Sequence, residues 1–142
     1  MKPHIYISHN FTENININNN ILYCEINKNI FHVSKSSHNH IDIYKYITKE
    51  FGDTCNVETW IRGKHYEKTD DIIDLIEINK KDLIYHYTET HDHSKIALST
   101  NSNNPWIFIG DLNRMTSQLI RGGGGIIVKD KELWNNLHNF IL

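Results

Sequence analysis

Cysteine is scarce, with Cys24 and Cys55 the only two in 142 residues. One pair cannot build the dense disulfide framework of small secreted domains, so two separate buried thiols are expected. Long apolar runs are missing too: Asp, Lys or Asn breaks every stretch before the ~18–20 residues a membrane span needs. The opening Met1-Lys2-Pro3-His4-Ile5 lacks the apolar centre of a secretory signal, which predicts a soluble, cytoplasmic protein with no membrane partner. Positive charge is not in excess. A net charge of −2 excludes a global basic field able to hold nucleic acid by itself, so any phosphate recognition has to be local. Ala97 is the only alanine, while Asn and Ile are heavily used, a compositional bias without functional meaning. No repeat and no Pro/Ser-rich linker interrupts the chain, and a single domain over residues 1–142 is expected.

What is present is a hydrophobic share of 39% against 23% charged residues, enough for a core and too apolar for wholesale disorder. Apolar residues alternate with polar ones at Ile5, Ile7, Ile15, Ile17, Leu22, Cys24, Ile26 and Ile30, predicting short strands, with a hairpin tip in the Asn-rich stretch 14–20. Ser36 to Asn39 offer caps for a helix carrying Ile43, Tyr46, Ile47, Glu50 and Phe51 on one face and stopped by Gly52. Residues 56–61 predict a strand. Thr69-Asp70-Asp71 predicts the start of a second helix that buries Ile72, Leu75 and Ile76. Strands are expected at 83–87, 93–98 and 106–109, with a turn over 101–105 between the last two. Four glycines from Gly122 lead into Ile126-Ile127-Val128 and a closing helix with a Leu133, Trp134, Leu137, Phe140 stripe. Strands alternating with helices predict an α/β sandwich around one mixed sheet.

Chemistry concentrates in three places. In His91-Asp92-His93-Ser94-Lys95, residues two apart share a strand face, so His91, His93 and Lys95 are expected to project together. An imidazole can attack phosphorus or carry a proton near neutral pH, while an ammonium neutralises phosphate oxygens. A solvated strand edge is the plain alternative. Downstream, Trp106-Ile107-Phe108-Ile109 delivers Gly110-Asp111-Leu112-Asn113-Arg114 to a strand end, where ligand sites of open sheets gather. Asn113 can donate an amide hydrogen bond to phosphate there. Gln118 and Arg121 then precede the glycine run, which serves either a close backbone approach or a flexible tip.

His93-Ser94-Lys95, Pro105-Trp106, Gly110 to Arg114, Gln118 and Arg121 to Gly124 resemble the C-terminal half of the deoxyribonuclease II family. Phe31 to Ser36, Asp42-Ile43-Tyr44 and Val57 to Gly63 resemble the stretch before it, so the resemblance runs from Phe31 to Leu142. It implies a phospholipase D-like α/β/α sandwich in which this chain is one His-x-Lys half-domain. It further implies a metal-independent nuclease acting on DNA through a phosphohistidine, with no cofactor. Carried over, His93 is nucleophile or general acid/base, Lys95 the phosphate clamp and Asn113 a supporting donor. His91, Ser94, Asp111, Arg114, Gln118 and Arg121 join them as expected substrate-binding residues. A single His-x-Lys pair leaves the mechanism one imidazole short, and a homodimer with two copies of His93 across a two-fold axis would supply it.

Four other readings stand beside this one. His86, His91 and His93 are a candidate metal trio. A half-length relic that binds nucleic acid without cutting it is the alternative to an enzyme. Phe31, Trp60, Trp106 and Trp134 are expected in the core rather than as base-stacking platforms, and Arg62, Lys64 and Lys68 near His65 form either a phosphate-facing patch or a solvated loop.

Overall fold

A computed structural model describes residues 15–18, 21–37, 39–60, 64, 66–75, 77–79, 86–88 and 91–141. The expected strand at Ile5 and Ile7, and the patch members Arg62 and His65, lie outside these. Among the described residues, ten strands and two α-helices run in the order β1 (Ile15–Asn18), β2 (Ile21–Asn27), β3 (Ile30–Lys35), α1 (Ile43–Phe51), β4 (Cys55–Thr59), β5 (Ile72–Asp74), β6 (Glu77–Asn79), β7 (His86–Thr88), β8 (Lys95–Ser99), β9 (Ile107–Gly110), β10 (Gly123–Val128) and α2 (Lys131–Ile141), with a single 3-10 turn at Thr116–Gln118 before β10. Eight strands form one sheet in the order β1-β2-β3-β10-β9-β8-β4-β5, and β6 pairs with β7 separately. Every neighbour in the large sheet is antiparallel except β4 and β5, which run parallel. The fold is therefore mixed α/β, as the alternation of patterns predicts.

Each face of the sheet holds one helix. Phe31, Val33, Val57, Ala97, Phe108 and Ile127 point to the α1 side and bury Ile43, Tyr44 and Ile47. On the opposite face Leu98 and Ile107 pack on Trp134 and Ile141 of α2. Asp42 caps α1, its Oδ1 accepting the Tyr44 amide at 3.0 Å, and Gly52 ends the helix at φ +72°, a left-handed conformation open to glycine. The cap is thus Asp42 rather than the Ser36–Asn39 group. Glu50 is exposed, and the buried face turns toward Tyr44 and Thr48. In α2, Leu133 and Phe140 are exposed while Trp134 and Ile141 are buried, a rotation of the expected stripe. No described helix is long and apolar enough to cross a membrane.

One element differs in kind from the sequence expectation. Ile72 to Asp74 form strand β5 beside β4, not a helix, because a tight turn bridging Thr69 to Ile72 drops two β-branched residues onto the sheet edge. Within the Asn-rich stretch, residues 15–18 form strand β1, paired antiparallel with β2 up to Asn18 opposite Ile21; Asn19 and Asn20, in the stretch expected as the hairpin tip, lie outside the described residues. The cysteines are free and buried. Burial pushes the Cys55 thiol up to about 12 and raises that of Cys24.

Candidate active site at the sheet end

The glycine run belongs to the sheet. A Cβ at Gly124 would stand 2.2 Å from the Val33 carbonyl oxygen, and one at Gly125 would stand 2.2 Å from that of Ile109. The expected close backbone approach is what these residues provide, within strand β10. Gly125 pairs with Val33 on one side and Gly110 on the other. Ile96 pairs with Ile109, so the same register continued by one residue sets Gly110 beside Lys95, which itself pairs with Thr59. Thr59, Lys95, Gly110, Gly125 and Val33 therefore form one row near a single end of the sheet. Past that row the chain turns away, and the polar residues collect there.

The loop from Asp111 to Gly122 is tied down by side chains rising from the sheet and from α1. The Tyr44 hydroxyl donates to the Leu112 carbonyl at 2.6 Å, and the Thr59 hydroxyl accepts the Arg114 amide at 3.2 Å. The Lys35 ammonium is buried and donates to the carbonyls of Leu119 at 2.6 Å and Arg121 at 2.7 Å. Asp111 accepts the Gly124 amide at 2.7 Å, which fixes its carboxylate at the mouth of the glycine strand. From there its charge reaches Lys95, Lys35 and His32, and in each it opposes the lowering that burial causes. Lys35 carries no role in the sequence expectation, although its stretch contributes to the family resemblance.

His93 is exposed and Lys95 half-buried. The Lys95 ammonium donates to the His93 carbonyl, and burial holds it below the ordinary lysine value while Asp92 and Asp111 draw it upward. Strand β8 begins only at Lys95, so His91 and His93 do not share a strand face with it. An Asp92 carboxylate that accepts the Ser94 amide at 2.7 Å turns the chain instead. His91 is exposed, its Nδ1 within 2.9 Å of the Thr88 hydroxyl. Among the described residues no three His, Cys, Asp or Glu side chains converge to hold a metal, and the His86 side chain lies outside them.

Asn113 and Gln118 line one small cavity with Lys35 and Tyr66. The Asn113 Oδ1 is buried there without a hydrogen-bond partner among the described residues. Gln118 accepts from the exposed Arg121 guanidinium at 3.4 Å. Arg114 corrects the sequence expectation. It is 2% exposed and spends its guanidinium on Asp42 at 3.0 Å, on Asp74 and on the Glu67 carbonyl at 2.9 Å. It clamps the fold through these partners, while still lining the cavity of Asn113 and Gln118. Trp60 corrects another. It stays half-buried at the end of β4, outside the core, and stacks on the His93 ring with centroids 4.3 Å apart. Phe31, Trp106 and Trp134 are core residues as expected.

The family model for deoxyribonuclease II matches residues 5–142. The chain belongs to the deoxyribonuclease II family. Among its relatives, deoxyribonuclease-2 of Caenorhabditis elegans is 40% identical over 55% of this chain and 22% of its own length. Cell-death-related nuclease 7 of the same organism is 32% identical over 68% of this chain and 27% of its own. Deoxyribonuclease-2-beta of Mus musculus is 30% identical over 80% of this chain and 34% of its own. The chain thus spans about a quarter to a third of the length of these deoxyribonuclease II relatives.

Proposed function

We propose that this chain is a metal-independent endonuclease for DNA, built as one phospholipase D-like half-domain over residues 1–142 and completed as a homodimer. The observation that carries the proposal is an exposed His93 whose backbone carbonyl accepts from the Lys95 ammonium, at the end of the sheet where Asp111 holds the glycine strand. A helix on each face of the mixed sheet fits the α/β/α layering of that fold.

In the reaction, a ring nitrogen of one His93 forms a bond to phosphorus while the ester bond to the leaving oxygen breaks. The second His93, as imidazolium, gives its proton to that oxygen. The neutral second ring then takes a proton from water, whose oxygen attacks phosphorus and breaks the P–N bond, restoring both histidines. Lys95 neutralises the non-bridging oxygens and Asn113 donates its amide N–H to one of them. Ser94, Asp111, Gln118, Arg121 and His91 surround the substrate in this scheme, with Asp111 acting through the Gly124 amide. Two free thiols fit a reducing, cytoplasmic location.

The test is cleavage of plasmid and labelled oligonucleotides in EDTA from about pH 4.5 to about pH 8, with His93→Ala alongside, and sedimentation of the active species. Cleavage that needs His93, survives chelation and comes with a dimer is expected. A monomer that cuts equally well refutes the shared site, and activity abolished by EDTA refutes the metal-free route. A separate partner chain supplying the second His-x-Lys pair is the other reading; activity that appears only on adding such a chain would establish it.

A further inference from the structure

We propose that Trp60 is a positioning residue for His93, holding the imidazole flat against the indole so that its nitrogens meet phosphorus edge-on. The inference rests on the catalytic reading of His93. The antiparallel ladder between β4 and β8 ends at the pair Thr59 and Lys95, and Trp60 is the first residue beyond it. On the other strand, the Thr88 carbonyl accepts the amides of His91 at 2.9 Å and Asp92 at 3.0 Å, and Asp92 in turn accepts from Ser94. This turn takes His93 out of the strand pleat and lays it over the indole, with 23° between the ring planes.

His93 needs such a support. It is exposed, and no described residue hydrogen-bonds to either of its ring nitrogens. A ring on an exposed turn otherwise samples several staggered rotamers. A stacked aromatic neighbour favours one arrangement by about twofold to tenfold. It also leaves the right part of the ring free, because the nitrogen lone pair and the N–H lie in the ring plane while the stack covers only a face. A hydrogen-bonding partner would fix the ring equally well but would occupy one of the two nitrogens. Trp60 fixes it and consumes neither.

The test combines a spectrum and a rate on the full chain. In the proton NMR spectrum the His93 Cε1–H, assigned by its loss in His93→Ala, is expected upfield of an unfolded-peptide histidine because the indole ring current acts on it. In Trp60→Leu it should move back downfield. Plasmid cleavage by that variant should show kcat about tenfold lower with KM little changed, the signature of lost alignment. Trp60→Phe, which keeps a ring to stack on, should recover most of both readouts and decides the matter if the leucine variant does not fold. A wild-type Cε1–H at the unfolded position overturns the proposal, as does wild-type kcat in a folded Trp60→Leu. Failure of the nuclease reading is visible separately: His93→Ala would then cut as fast as the wild type, and the spectrum alone would decide the stack.

Discussion

Replacing Arg114 by methionine tests the assignment of this residue to the fold rather than to the substrate. Its side chain is 1% exposed and faces Asp42 and Asp74, whose side chains are 4% and 16% exposed. Removing this guanidinium takes its charge away from both carboxylates, and the Glu67 carbonyl loses its donor. Breaking a buried pair by deleting one partner costs about 3–5 kcal/mol. For 142 residues the unfolding entropy near the melting point is about 0.3 kcal/mol per kelvin, so the melting temperature should fall by about 10–17 °C. Thermal and urea denaturation of Arg114→Met, followed by circular dichroism, measure this directly. The double variant Arg114→Met/Asp42→Asn should recover part of the loss, because asparagine removes one stranded charge and still caps α1. A drop of less than about 3 °C in Arg114→Met, accompanied by lost cleavage, would refute the structural assignment and return Arg114 to the substrate.

Other perturbations separate fold from chemistry in the same way. Gly125→Ala should destabilise the protein by more than about 3 kcal/mol, since its Cβ would meet the Ile109 carbonyl at 2.2 Å, whereas at Gly122 the nearest atom is 3.1 Å away and the cost should be far smaller; equal melting curves for the two variants would contradict the close packing of β10. Cys55 is held protonated by burial up to about 12 against an ordinary value of 9.0, so its contribution to stability is complete below pH 9.0 and is lost as pH rises toward about 12. Urea midpoints should fall across that window, and Cys55→Ala should flatten the fall. Lys95→Met should lower plasmid cleavage by on the order of a hundredfold while leaving stability unchanged or raised, because burial already disfavours the charged ammonium; a variant that unfolds would instead mark Lys95 as structural.

Much of the fold was legible wherever one residue pattern dominated an element. The β-branched and aromatic crowding at Val57, Ile107 and Phe108 marked central strands, and the Gly52 stop marked the end of α1. Elements were misread where local and tertiary preferences compete. Thr69-Asp70-Asp71 has the chemistry of a helix cap, yet Ile72 gains more by closing the sheet edge beside Cys55, and nothing in the local sequence carries that information. The glycines gave a split signal for a related reason. Glycine is unfavourable in a strand on its own, and only the neighbouring Val33 and Ile109 carbonyls make it obligatory in β10.

The candidate site was legible as a set of residues but not as an arrangement. It is assembled from strand ends, so each element contributes one or two side chains and periodicity stops at the point where the chemistry begins. His93 illustrates this: the period of two predicts a shared face with Lys95, but the strand has not yet started there, and the face that matters is the indole of Trp60. Arg114 illustrates the converse, a residue within a site motif whose partners Asp42 and Asp74 come from far away in the chain. What binds the arrangement together is the glycine row. Because Gly110 and Gly125 lack side chains, the Phe108 ring lies across both, 2.6 Å from where each Cβ would be. Phe108 packs edge-on against Tyr44 with centroids 5.5 Å apart, and the Tyr44 hydroxyl holds the Leu112 carbonyl immediately before Asn113. The glycines and the asparagine, which look like separate motifs in the sequence, are thus successive links of one packed chain leading to the same corner of the sheet.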